Sequence, residues 1–289
     1  MKIKELPEDF IVKEVLDLPL EDGDYNYYLI TKKNWNTLDL IHELKERLHV
    51  KDVGYAGIKD RHAVTSQYIS VLHRKITFSI KDVTFELIGT GKQRIYLGML
   101  KGNAFVITIR DLEKKLKPIT DVINFFGEQR FSEKNAHIGK LLVTKKFKEG
   151  CEELGLQVHR NDYVGALKSV GKERLKFYVH AYESELWNRL ALKSKKRVVP
   201  ILGYLTEGND YDAIMKDEGI RREDFLMRSI PEIASEGGQR ERVVQVKKFK
   251  TLSYDDDELH AGKKKQTISF SLDKGAYATT VIDALQATK

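Results

Sequence analysis

The stretch 54–67 reads GYAGIKDRHAVTSQ and holds the densest group of side chains that could carry chemistry. Asp60 stands between two cations, Lys59 and Arg61, and Gly57 permits a bend or a close approach of the backbone. If these charges lie within a few ångströms of one another, the cations favour the ionised carboxylate, which is the form that a nucleophile or a base needs. The alternative is a surface turn with an ion pair worth under about 1 kcal/mol, and composition alone favours that alternative.

The regions on either side of this stretch alternate between apolar and polar residues, as β-strands do. Short apolar alternations predict strands at 10–15, 25–31, 76–80, 83–87 and 105–109. Lys81 and Asp82 separate the third and fourth of these segments and are expected to form the turn of a hairpin, or a bulge. Thr37 precedes apolar residues at helical spacing, from Leu38 to Leu48, and is expected to cap that helix.

The pattern changes from Pro118 onward. Between Pro118 and Gly127, apolar residues at i, i+3, i+4 and i+7 predict an amphipathic helix, which Gly127 is placed to end. Residues 135–230 are mainly helical in pattern, and strand-like alternation returns at 268–272. This order predicts an α+β fold in which the last strand rejoins the first sheet and a helical region is inserted.

The composition is that of a globular protein with an excess of basic residues. The chain has 289 residues, of which 41% are hydrophobic and 32% are charged, enough for one large domain or two smaller ones with a sizeable core. The formal net charge of +7 is compatible with a polyanionic partner such as nucleic acid and, equally, with a well-solvated basic surface.

Several classes of site and location are excluded by residue counts and spacing. Cys151 is the only cysteine, which excludes intramolecular disulfides and cysteine-based zinc sites and favours a reducing compartment. The eight histidines show no spacing typical of metal ligands, so no metal is expected. The N-terminal residues lack the apolar region of a secretory signal, and no apolar run approaches the roughly 20 residues that a membrane helix needs.

A second stretch with functional side chains, NFFGEQRF, occupies residues 124–131. Its two adjacent aromatic residues, its amides and its cation could stack a nucleobase and hydrogen-bond the edges of that base. The alternative is the end of a core helix in which Phe126 fills the apolar stripe, and for this stretch taken alone that alternative is favoured.

In combination, these motifs resemble the TruD family of tRNA pseudouridine synthases. The similar segments are the catalytic signature at 54–67, the Asn-aromatic-Phe-Gly-x-Gln-Arg-Phe motif at 124–131, the Leu-Gly-x-Leu-x-Gly-Asn-x-Phe strand within 97–110, the Asp-Phe-x-Val-x-Glu start within 7–14 and the C-terminal Ala-Thr element within 270–279. The chain departs from the family pattern at Ser132, where Gly is common, at Ala276, which replaces Ser, and at 282–284, where Ile-Asp-Ala removes a charge pair.

The resemblance implies an enzyme that isomerises uridine to pseudouridine in tRNA, usually at position 13 of the D-arm, with one aspartate and no cofactor. By this resemblance Asp60 is the catalytic carboxylate, and the target nucleotide leaves its stack to reach that carboxylate. Asp60 could attack C1′, add to C6 or abstract the C2′ proton, and the sequence leaves these three routes open.

The resemblance also implies a set of substrate-binding residues around the uridine. They are Phe10, Asn124, Phe126 and Tyr277, with Lys4 as a weaker candidate and with Lys59 and Arg61 supporting the ionised carboxylate.

The fold that the resemblance implies is a mixed, mainly antiparallel sheet flanked by helices. The expected domains are a discontinuous catalytic domain, 1–149 with 244–289, and an inserted, mostly helical TRUD-type domain, 150–243, with RNA bound between the two. The expected partner is tRNA, without a membrane or an obligatory protein partner, for a monomer in the cytoplasm. The alternative function is that of a tRNA-binding or folding-assistant module of the same fold, which needs no catalytic carboxylate.

Overall fold

A computed structural model describes residues 1–127 and 134–287, which contain twelve strands and seven α-helices. The strands are β1 (Phe10–Val15), β2 (Tyr25–Lys33), β3 (Gly54–Tyr55), β4 (Val64–Leu72), β5 (Val83–Gly91), β6 (Gly102–Leu112), β7 (Asp121–Ile123), β8 (Val198–Ile201), β9 (Gly238–Glu241), β10 (Val243–Gln245), β11 (Lys247–Asp256) and β12 (Lys264–Asp273). The helices are α1 (Thr37–Leu48), α2 (Asn135–Val143), α3 (Phe147–Glu153), α4 (Tyr163–Lys168), α5 (Lys172–Lys193), α6 (Asp212–Glu218) and α7 (Ala278–Ala287). None of these helices is long and apolar enough to cross a membrane.

The chain divides into two compact units. The first contains Met1–Val122 and Gln245–Lys289, and the second is Ile123–Val244. The second unit thus begins before residue 150, the start expected for the insertion, because α2 packs against α5 and α3 packs against α4. Helical segments that precede the expected boundary are therefore part of the second unit's core.

An eight-stranded sheet forms the first unit. Its strand order is β11-β12-β6-β1-β4-β2-β5, and β3 pairs with β4. The pair β1–β4 is parallel, and the remaining neighbours are antiparallel. The predicted fold class, α+β with a mixed, mainly antiparallel sheet and a mostly helical second region, is confirmed. The predicted return of the last strand is confirmed as well, because β12 pairs with β6.

Helix α1 packs its buried face against apolar residues of β2 and β4. The cap of this helix is Asn36, whose side-chain oxygen accepts a hydrogen bond from the N–H of Leu38 at 3.0 Å. The prediction that Thr37 caps the helix is wrong. Thr37 is the first helical residue, and its hydroxyl is used by the loop that follows β3.

The hairpin predicted at 76–87 forms only in part. Residues 76–79 are not a strand, and Ile80 alone bridges Val83 across the turn at 81–82. The turn is confirmed and the first strand is wrong. In place of a strand partner, the N–H of Ile76 donates to the hydroxyl of Tyr28 on β2.

The helix predicted at 118–127 is also wrong. Residues 121–123 form β7, which pairs with β10 in a two-stranded sheet. The N–H of Val246 donates to the carbonyl of Thr120 at 2.8 Å, and the N–H of Asn124 donates to the carbonyl of Arg242 at 2.7 Å. Because a distant segment supplies these hydrogen bonds, tertiary pairing outweighs the helical spacing of four apolar residues.

Helix α5 is the centre of the second unit. Its Trp187 is fully buried, and the indole N–H donates to the carbonyl of Val199 at 3.2 Å. Helix α2 crosses α5 at Gly139, where a Cβ atom would lie 2.0 Å from the carbonyl oxygen of Tyr178. Glycine is therefore required at this position for the two helices to approach so closely.

A buried charge network ties the N-terminus to the β11–β12 hairpin in the first unit. The guanidinium of Arg110 on β6 binds both oxygens of Asp9 at 2.9 Å and one oxygen of Asp257 at 2.9 Å. It also reaches Glu258 at 3.0 Å. These carboxylates raise the pKa of Arg110 above its ordinary value although the side chain is buried, and Asp9 has the largest effect.

We predict that Arg110→Met is severely destabilising. The change leaves the buried carboxylates of Asp9 and Asp257 without a counter-charge, and breaking a buried pair in this way costs about 3–5 kcal/mol. The free energy of unfolding from urea titrations measures the loss. Lys264→Met is the control, because its ion pair with Asp256 is exposed and is expected to contribute less than about 1 kcal/mol. Equal losses in the two variants would contradict this account.

Candidate active site

The parallel pairing of β1 with β4 brings the N-terminal segment to the signature loop. The signature begins on β3, turns through residues 56–63 and continues on β4. Ile11 lies opposite Val64, so the two strands start at the same end of the sheet. Phe10 at the start of β1 and the residues that lead into β4 are therefore neighbours.

Asp60 presents its carboxylate at this end of the sheet. The side chain is 47% exposed, and one of its oxygens lies 2.9 Å from the ammonium of Lys4. The same ammonium lies 4.3 Å from the centroid of the Phe10 ring. Lys4, Phe10 and Asp60 thus form one cluster, with a cation between a carboxylate and an aromatic face.

The structure gives Lys59 and Arg61 other partners than Asp60. Lys59 forms a buried ion pair with Glu14 at 2.7 Å, and the second oxygen of Glu14 accepts the N–H of Tyr68 at 3.0 Å. Arg61 is exposed and donates to the carbonyl of Asn34 at 3.2 Å. Both cations tie the signature loop to neighbouring strands and loops, and the cation on the Asp60 carboxylate is Lys4.

Two buried polar side chains hold the loop from the inside. The hydroxyl of Thr37 accepts the N–H of Lys59 at 2.9 Å and bonds to the side-chain oxygen of Gln67 at 2.8 Å. The amide nitrogen of Gln67 donates to the carbonyl of Gly57 at 3.2 Å. The Thr and Gln of the sequence motif are thus used to fix the backbone that carries Asp60.

Lys32 on β2 lies beneath the same loop and was not predicted from the sequence. Only 1% of the residue is exposed, and its ammonium donates to the carbonyls of Trp35, Lys59 and Asp60. Burial lowers the pKa of Lys32 to about 8, against the attraction of Asp60. The sequence did carry a signal for it, since Lys32 continues the buried alternation of β2.

Tyr277 lies in the turn between β12 and α7. The residue is 38% exposed, and its carbonyl accepts the hydroxyl of Thr280 at 2.7 Å. Within the described residues the phenol ring makes no hydrogen bond or ring contact. More than a third of the residue is therefore accessible to a ligand.

Asn124 and Phe126 belong to the second unit, where Arg240 holds both. The guanidinium donates to the side-chain oxygen of Asn124 at 2.8 Å and to its carbonyl at 3.0 Å. It also lies 4.0 Å from the centroid of the Phe126 ring. No sequence signal pointed to Arg240, which is 116 residues away from Asn124 in the chain.

Phe126 is part of the core of the second unit. It is 7% exposed, and its ring meets Trp187 edge-on at 5.4 Å. The side chain of Asn188 accepts the N–H of Phe126 at 2.9 Å and donates to its carbonyl at 3.1 Å. Most of the Phe126 ring is therefore buried in the core, as the core interpretation predicts. Residues 128–131 of the same motif lie outside the described residues.

No group of three or more potential metal ligands occurs in the part of the chain that the structure describes. At the site itself, the structure places the carboxylate of Asp60 beside the ammonium of Lys4, which lies next to the ring of Phe10.

Comparison with known proteins gives a consistent set of relatives. The family model for tRNA pseudouridine synthase D (TruD) matches residues 1–158 and 201–284. A Methanocaldococcus jannaschii protein named "Probable tRNA pseudouridine synthase D 2" is 29% identical over 384 aligned residues, covering 98% of this chain and 90% of the relative. A Pyrococcus abyssi protein named "Probable tRNA pseudouridine synthase D" is 40% identical over 169 residues, covering 52% of this chain and 41% of the relative.

The fold is similar to that of a crystal structure from Methanosarcina mazei, which carries the provisional name tRNA pseudouridine synthase D (TruD). The TM-score is 0.78 at 25% identity, covering 96% of this chain and 92% of that one. The family model covers well over half of the chain and includes the signature at 54–67. The chain therefore belongs to the TruD family of tRNA pseudouridine synthases.

Proposed function

We propose that this protein converts uridine to pseudouridine in tRNA and that the carboxylate of Asp60 is its catalytic group. The observation that carries the proposal is the position of Asp60 on the family's signature loop, half exposed and paired with Lys4 beside Phe10. Its two neighbours in sequence, Lys59 and Arg61, are bound to other partners. Asp60 is thus the acidic group of the signature that a substrate can reach.

The proposed reaction is an isomerisation. The bond between N1 of uracil and C1′ of ribose breaks, the base rotates, and C5 bonds to C1′. The hydrogen on C5 leaves as a proton and N1 gains one, so atoms and electrons balance without a second substrate. A positioned carboxylate is sufficient to begin the sequence, either as a nucleophile or as a base.

Asp60 begins the reaction by one of three routes, which are attack at C1′, addition to C6 or removal of the C2′ proton. Each route uses the carboxylate oxygens, one of which is held by Lys4. The ammonium of Lys4 has three N–H donors, so the two that Asp60 does not use are available to an oxygen of the substrate. We therefore assign Lys4 to substrate binding beside Asp60.

The target nucleotide is proposed to leave its stack, which costs a few kcal/mol. Stacking on an aromatic side chain returns about 1–3 kcal/mol per base. Tyr277 is the proposed stacking platform, because Phe10 and Phe126 are almost fully buried and offer the base only part of their rings. Asn124 is assigned a hydrogen bond to the nucleotide.

The proposed substrate is the D-arm of tRNA, with position 13 as the target. The family supports tRNA, and the net charge of +7 suits a polyanion. In this proposal the first unit is the catalytic domain and the second is the inserted domain. We expect the protein to act as a monomer in the cytoplasm, where tRNA is abundant.

We predict that Asp60→Asn abolishes pseudouridine formation. The amide keeps the shape of the side chain but is neither a nucleophile nor a base, whereas most tRNA contacts are unchanged. We expect the tRNA affinity to stay within about tenfold, or 1.4 kcal/mol. Asp256→Asn is the control, since this carboxylate is exposed and pairs with Lys264. Normal turnover by Asp60→Asn would remove the catalytic assignment and favour the alternative of a non-catalytic tRNA-binding module.

Mapping pseudouridine in total tRNA tests the substrate. Unmodified tRNA incubated with the wild-type protein is expected to gain pseudouridine at position 13, and the same tRNA incubated with Asp60→Asn is expected to gain none. Modification at another uridine would support the proposed reaction but contradict position 13 as the target.

A matched pair of variants tests whether Phe126 contacts the substrate. Phe126→Leu and Phe225→Leu both trim a buried ring in the core of the second unit, and each is expected to cost about 1 kcal/mol of stability. Only Phe126→Leu is expected to lower kcat/KM by about tenfold beyond the loss of folded protein, equal to roughly 1.4 kcal/mol of transition-state stabilisation. Equal kcat/KM values for the two folded variants would return Phe126 to a purely structural role.

A further inference from the structure

Lys32 is an almost fully buried cation that the proposed reaction does not use directly. Its ammonium donates to the carbonyl of Lys59 at 3.4 Å, to the carbonyl of Asp60 at 3.2 Å and to the carbonyl of Trp35. Burying an ammonium is costly unless its donors are satisfied, and here all three acceptors are backbone oxygens. An apolar residue at this place could not bind these three carbonyls, so the buried lysine is expected to have a specific role.

The two loop carbonyls belong to the peptide groups on either side of the Asp60 Cα atom. The carbonyl of Lys59 lies in the planar peptide that precedes this atom, and the carbonyl of Asp60 lies in the one that follows it. When one ammonium binds both, it fixes both planes relative to each other. The direction of the bond from Cα to Cβ, and hence of the carboxylate, is then set from beneath.

The third carbonyl connects this arrangement to the rest of the fold. Trp35 follows the end of β2, next to the start of α1, so the ammonium joins the loop to the edge of a regular scaffold. From the same side, Thr37 accepts the N–H of Lys59 at 2.9 Å. Lys32 on β2 and Thr37 at the start of α1 therefore hold the backbone of the loop, while the side chain of Asp60 is half exposed.

We propose that Lys32 is a positioning residue for the carboxylate of Asp60, acting through the two peptide groups that flank it. This inference rests on the proposed function of Asp60. Lys32 itself does not touch the substrate. Its effect is on how often the carboxylate points at the reacting ribose, which a displacement of about 1 Å can change about 10²-fold.

The charge of Lys32 gives the arrangement a dependence on pH. Asp60 attracts the buried ammonium, Lys59 repels it, and the charge of Lys59 is in turn balanced by Glu14. Since burial lowers the pKa of Lys32 to about 8, the ammonium loses its proton as the pH rises through this value. A neutral amine donates fewer and weaker hydrogen bonds, so the hold on the loop weakens on the alkaline side.

The test compares Lys32→Met, Lys32→Gln and the control Lys33→Met. The control alters the next residue of β2, whose ammonium is exposed and pairs with Glu8. Single-turnover rates on unmodified tRNA, tRNA affinity and melting temperature are measured for each, across a pH range centred on about 8. We expect Lys32→Met to react about 10²-fold more slowly per folded molecule with unchanged tRNA affinity. Lys32→Gln keeps two N–H donors and is expected to be intermediate, and Lys33→Met is expected to match the wild type.

The pH profile separates positioning from a purely structural role. The wild type and Lys33→Met are expected to lose rate above pH about 8, and this decline is expected to be missing from Lys32→Gln. Folded Lys32 variants that react at the wild-type rate with the wild-type profile would overturn the inference. If Lys32→Met does not fold, Lys32→Gln decides, and an unchanged alkaline decline in that variant counts against the proposal.

The same experiment distinguishes a failure of the inference from a failure of the proposed function. A wild type that forms no pseudouridine on any tRNA removes the proposed function, and the inference with it. An active wild type with equally active Lys32 variants removes only the role of Lys32.

Discussion

The parallel pairing of β1 with β4 is the constraint on which the candidate site depends. Parallel strands begin at the same end of a sheet, so the residues that precede them converge there. In this protein those residues are the N-terminal segment with Lys4 and the signature loop with Asp60. An antiparallel β1 would send its start to the other end of β4 and leave the carboxylate without its cation. The ion pair at 2.9 Å is therefore a consequence of strand direction.

Several charged residues of the family motifs form buried ion pairs inside the fold. Glu14 from the N-terminal motif neutralises Lys59 inside the fold, and Asp9 from the same motif binds Arg110 at the end of the β6 motif. Removing one partner of such a buried pair leaves an uncompensated charge, which is strongly destabilising. The fold therefore requires these charged residues at their positions. Within the signature, the half-exposed carboxylate is that of Asp60.

Local patterns in the sequence predicted most of the first unit, and the largest error occurred where a distant segment decides the structure. Strands β1, β2, β6 and β12 follow from the alternation of apolar residues, and α1 follows from helical spacing. The segment at 118–127 has helical spacing too, but β10 pairs with residues 121–123 and makes them a strand. The spacing of apolar residues indicates which residues can share a face, but it does not identify a pairing partner far along the chain. The link between Arg240 and Asn124, 116 residues apart, could not be predicted for the same reason.

The charges around Asp60 illustrate why adjacency in sequence is a poor guide to contact. Lys59 and Arg61 were the obvious partners, yet the turn at 56–63 directs them to Glu14 and to the carbonyl of Asn34 instead. Lys59 turns inward to Glu14, Asp60 turns outward, and the cation that meets the carboxylate comes from 56 residues away. A second cation, Lys32, reaches the backbone of Asp60 from within the fold. One lysine therefore pairs with the carboxylate and another binds the peptide groups that carry it, so separate residues contact the side chain and the backbone of Asp60.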